Sequence, residues 1–98
     1  MKNQFEIFNP SIYGEKITKV SGYPIKFDKF PDDFFVAKVD KYWGVYEVRS
    51  GMRVAKPEKT KKQAILTAEE SLECISPERM KSAIEEVEKE FHKIKNSL

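Results

Sequence analysis

Cys74 and His92 are the two side chains here with the chemistry of a nucleophile and a general base, and each type occurs once. An activated thiol needs its imidazole within hydrogen-bond reach, with a third group orienting the base. The sequence places the two residues on different predicted helices. A small buried or half-buried thiol and a surface histidine between Phe91 and Lys93 account for them better, given the geometric demands on a catalytic pair. A metal centre needs several clustered ligands, and one Cys with one His and no Asp-x-Asp loop does not supply them. Asp32 and Asp33 are adjacent in a turn, where neighbouring carboxylates point apart. Neither a Gly-x-x-x-x-Gly-Lys phosphate loop nor a Gly-x-Gly-x-x-Gly fingerprint occurs. The residues therefore argue against an enzyme, a metal site and a bound cofactor.

Binding chemistry is better represented. The stretch YEVRSGMRVAKPEKTKKQAI, residues 46–65, carries six cations between Arg49 and Lys62, namely Arg49, Arg53, Lys56, Lys59, Lys61 and Lys62, and between those two bounds the only acid is Glu58. Such clusters meet phosphate without sequence preference, and amides at a helix start reinforce them. The same run also reads as a charged connector kept soluble by its lysines. Tyr42, Trp43 and Tyr46 offer faces for base stacking, although such residues more often belong to the core. Trp43 alternates with the two tyrosines and belongs to the opposite sheet face, where an exposed Trp would mark a partner surface. Glu78, Glu85, Glu86, Glu88 and Glu90 could imitate phosphates on a helix, although a solvated helix face is commoner.

Two kinds of element have to position these groups. Eleven of the twelve aromatics lie between Phe5 and Tyr46, which assigns the first part, residues 1–58, to sheet. Short strand signals occur at Ile12-Tyr13 and from Ile17 to Val20, around Gly14. Tyr23 to Phe27 reads as an edge strand or irregular crossing because of Pro24. Phe34 to Val39 and Tyr42 to Arg49 are stronger, joined by Asp40-Lys41. Gly44 marks a bulge or a close approach. Ser50-Gly51 turns the chain into a return strand at 52–56, ended by Pro57. The period then changes to 3.6. Thr60 and Gln63 have capping-box spacing for a helix over 60–75 with Ile65, Ala68, Leu72 and Ile75 on its apolar stripe. Ser76-Pro77 opens a second helix over 77–96, striped by Met80, Ile84, Val87, Phe91, Ile94 and Leu98. That 4-3 spacing is also a coiled-coil seam, so the expected state is a monomer or a weak homodimer through helix 2.

The fold class expected is α+β: an antiparallel sheet of three to five strands, then two helices, in one compact domain of 98 residues. The net charge of +2 divides into a basic first part and an acidic second part, without the large excess of a nucleic-acid coat. No apolar run has the length of a membrane helix, the N-terminus has no signal-like h-region, and a lone cysteine cannot close an internal disulfide. Cytoplasmic residence and no membrane partner are the expectation.

The segment from Trp43, WGVYEVRSGMRVAKPEKTKKQAI, resembles small phage and mobile-element domains. These have a Trp-containing strand, a Ser/Thr-Gly turn, a short return strand and a Thr-Lys-Lys-x-Ala helix start. It is also similar to the arm-type DNA-binding domain of phage integrases, a three-stranded sheet with a helix. That second resemblance implies DNA contacts by Arg49, Arg53, Lys61 and Lys62. The chain departs from it in its long acidic second helix. The expected function is a phage- or mobile-element-encoded, non-enzymatic binding protein that inhibits or modulates a host macromolecular complex, in defence or nucleic-acid processing. The partner is then a host protein or protein–nucleic-acid complex. The alternative is direct DNA or RNA binding through the basic β-hairpin. The candidate residues for partner or phosphate are Arg49, Arg53, Lys56, Lys61, Lys62 and Trp43.

Overall fold

Side-chain alternation along Phe34–Val39 sends Phe34 and Val36 into one apolar core and Phe35 and Ala37 into another. That strand is the third of four in the computed structural model, which describes residues 2–11 and 14–97. The elements are β1 (Asn3–Ser11), β2 (Gly14–Ile25), β3 (Phe34–Val39), β4 (Tyr42–Glu47), α1 (Lys61–Glu73) and α2 (Pro77–Ser97). The strands form one antiparallel sheet in chain order. The class is α+β, and no helix among the described residues is long and apolar enough to cross a membrane.

The helices cover one face of the sheet. Phe34, Val36 and Val45 meet Ala64, Ala68 and Leu72 of α1, with Met80 and Ile84 of α2. Phe27 and Phe30, in the β2–β3 connection, add edge-on contacts to Phe34 at 5.1 and 6.3 Å between ring centres. Among the described residues, no helix residue belongs to the core on the other face. It is closed by the β1–β2 hairpin, whose Phe5, Ile7 and Val20 pack on Phe35, Ala37 and Tyr46. Phe5 stacks on Phe35 at 4.1 Å, and Phe35 on Tyr46 at 5.4 Å.

Several local expectations are revised. β1 and β2 form one long hairpin, in register from Asn3 opposite Gly22 to Ser11 opposite Gly14; Ile12-Tyr13 lies outside the described residues. Pro24 sits inside β2, two residues past the last β1 partner, so among the described residues β2 has only β3 beside it there. That is an edge environment, which tolerates proline. At Gly44 the ladder continues without a bulge. Instead the Tyr46 ring lies where a Cβ would stand, 3.2 Å from it. The return from the Ser50-Gly51 turn is not a strand. It is held to β4 by isolated bridges, Arg53 opposite Tyr46 and Glu58 opposite Trp43, and by the Val54 amide donating to the Val45 carbonyl at 2.9 Å. In α1 the buried face comprises Ala64, Thr67, Ala68 and Leu72, with Ile65 only half-buried and Leu66 exposed. Met80, Ile84 and Phe91 of the α2 stripe are buried within the chain, and Val87 and Ile94 half-buried, while Leu98 lies outside the described residues. The stripe is thus used for intramolecular packing.

Candidate functional site

The six cations of residues 46–65 do not converge. Arg49 leaves β4 toward α2, where its Nε and Nη2 donate to the two carboxylate oxygens of Glu88 at 3.1 and 2.7 Å. This bidentate bond draws the Glu88 carboxyl below the ordinary glutamate range and raises the Arg49 guanidinium further. His92, one turn along, has Nε2 3.9 Å from the same carboxylate. Arg53 lies on the side of Tyr46, where burial raises the phenol's pKa and the Arg53 charge opposes that rise. Lys56 is 3.8 Å from Glu58. Lys59 and Lys62 are exposed. Lys61 and Trp43, among the candidate residues, share one neighbour, the Tyr23 ring.

That neighbourhood is built by Glu58. Its amide donates to the Trp43 carbonyl at 2.8 Å and its carbonyl accepts from the Trp43 amide at 2.7 Å. Its carboxylate accepts the Thr67 hydroxyl at 2.7 Å. The connector is thereby fixed against β4 at one end and α1 at the other. Thr60, in extended conformation, caps α1 by accepting from the Gln63 amide at 3.1 Å. The Gln63 side chain does not complete a capping box; its amide donates to Thr67 Oγ1 at 3.4 Å. Lys61 opens the helix beside the sheet, with Nζ 3.8 Å from the centre of the Tyr23 ring. Tyr23 stands 6.5 Å from Trp43, tilted by 33°, and Lys2 Nζ is 6.0 Å from the same Tyr23 ring. Lys38, exposed and directly opposite Trp43 in the β3–β4 ladder, projects from the same sheet face. The result is a ledge of two half-buried aromatic rings bordered by Lys2, Lys38 and Lys61.

Sequence reasoning missed Tyr23, Lys38 and Lys2. Lys38 was legible from the pairing of Phe34–Val39 with the Trp43 strand. Tyr23 and Lys2 required the long β1–β2 hairpin, which has no strong turn signal. Sequence reasoning also gave Glu47 no role. Glu47 is 0% exposed. Its carboxylate accepts from the amides of Arg49 and Ser50 at 2.7 and 2.8 Å and from the Ser50 hydroxyl at 2.6 Å. The Glu47 backbone closes the same turn with the Met52 carbonyl and the Gly51 amide, both at 2.9 Å. This buried acid is a structural clamp on the Ser50-Gly51 turn, with Gly51 at φ 69° supplying the left-handed residue.

Cys74, expected to be buried or half-buried, is instead exposed at the end of α1, and His92 is exposed on α2 beside Glu88. Among the described residues no group of three or more His, Cys, Asp or Glu side chains could hold a metal. Asp33 pairs with Lys26. No protein-family model, curated protein or solved structure matches this chain.

Proposed function

We propose that this chain is a non-enzymatic binding protein that engages a macromolecular partner through the Tyr23–Trp43–Lys61 ledge. The observation carrying this reading is the ledge itself. Two aromatic rings, one of them the sole tryptophan, stand half-buried at the margin of the helix-covered core with lysines around them. Half-exposed Trp and Tyr anchored on a rigid sheet are what binding hot spots are made of. The acids nearest the ledge and the turn, by contrast, are occupied in holding backbone and helix in place. The likeness of the Trp43 segment to small phage and mobile-element domains supports a phage- or mobile-element-encoded protein that modulates or inhibits a host defence or nucleic-acid-processing complex.

The test is affinity capture from host extract with the immobilised chain. Wild type is expected to retain a specific partner, and Trp43→Ala or Lys61→Glu to lose it with helical circular dichroism unchanged. Charge reversal at Arg49 and Arg53 should leave capture intact, because those groups lie off the ledge. Equal capture by all variants would remove the ledge from the reading.

A further inference from the structure

We infer that the ledge binds single-stranded nucleic acid, stacking a base on Trp43 while Lys2, Lys38 and Lys61 meet the flanking phosphates. The inference rests on the binding reading above and names its partner. Three features favour this occupant. The rings belong to sheet strands, Tyr23 on β2 and Trp43 on β4, so they are held as a platform. Stacking platforms of this kind accept any unpaired base, because every base has a π-face. The charges that reach the rings are positive: Lys2 and Lys61 meet Tyr23, and Lys38 flanks Trp43. Glu58, whose backbone pairs with Trp43, gives its carboxylate to Thr67 and Lys56. An acidic peptide would satisfy the lysines but offers no planar group for the indole. A duplex would satisfy them too, but keeps its base faces stacked internally. The basic turn is a weaker candidate for the same ligand, since Arg49 already holds Glu88 in a bidentate pair.

Trp43 is the only tryptophan, so its emission reports the ledge directly. Titration with oligo-dT and oligo-U at low salt is expected to quench that emission to saturation. Affinity should fall linearly on a log–log plot against salt. Each of Lys2→Ala, Lys38→Ala and Lys61→Ala should reduce the slope by about 0.7, as expected for one lost single-strand phosphate contact. These variants keep Trp43 and remove only exposed or surface lysines, so folding does not confound them. A duplex of the same length should bind more weakly. The inference is overturned by absence of salt-dependent binding at low salt, or by tighter binding to duplex. It is equally overturned by affinity that ignores the three lysines and disappears on Arg49→Ala or Arg53→Ala. Capture from nuclease-treated extract separates the two readings. If oligonucleotides fail while ledge-dependent capture persists, the ledge serves a protein and the binding reading stands. If both fail, both fall.

Discussion

Glu47 shows how a single residue can be decided by its hydrogen bonds rather than by its type. A glutamate at an alternating strand position is ordinarily solvent-facing, yet this carboxylate is buried and accepts two amides and a hydroxyl of the turn that follows it. A buried acid is tolerated when its oxygens are satisfied in this way. Glu47→Ala would leave the Arg49 and Ser50 amides without their acceptor, and a cost of about 3 kcal/mol is expected from the usual penalty for orphaned buried donors. Urea denaturation checks this. Glu47→Gln, which keeps one acceptor oxygen, should lie between the variant and wild type. A loss below about 0.5 kcal/mol for Glu47→Ala would show that water replaces the carboxylate, as at an ordinary surface position.

At the scale of elements, the β1–β2 hairpin closes the second core, and at Gly22 it passes close to β3. A Cβ there would stand 2.9 Å from the Val36 carbonyl oxygen, 3.0 Å from the Phe35 ring and 3.2 Å from the Ala37 Cβ. The carbonyl belongs to the sheet and cannot swing aside. Gly22→Ala is therefore expected to destabilise by about 1–3 kcal/mol, the range for overpacking a filled interior; a neutral effect on the melting transition would contradict this packing. The helices were far more legible than this hairpin. Thr60, Ser76 and Pro77 mark helix starts by local chemistry, and the structure places helices from Lys61 and from Pro77, with the Thr60 and Ser76 hydroxyls accepting the Gln63 and Arg79 amides. The capping box failed at its second half because the Gln63 side chain found Thr67, itself held by Glu58. Long-range anchoring of that kind leaves no trace in local spacing.

Across the whole molecule, Arg49 and Glu88 join the basic sheet half to the acidic helix half, at positions distant in sequence. Linkage fixes the sign of its pH dependence. Glu88 has a folded pKa below its ordinary 4.5, so below that value the unfolded chain binds the proton first. The pair's contribution is present above about pH 4.5 and is lost as pH falls through the folded value. Both partners are partly solvated, with side chains 53% and 24% exposed, so added salt should weaken the effect. Melting midpoints measured from pH 7 to pH 3 should fall less steeply in Glu88→Gln than in wild type, and an identical slope would dissociate the pair from acid stability. By itself, the sequence determined what depends on near neighbours: the α+β class, the two helices with their caps, the β3–β4 pairing around Asp40-Lys41, and the Ser50-Gly51 turn. Tertiary structure alone decided what depends on residues far apart in the chain. It dispersed the six cations, buried Glu47, and brought Tyr23 and Lys2 to Trp43 and Lys61. The physical reason is that charge clustering along a chain becomes clustering in space only when the strands and helices carrying it point the same way.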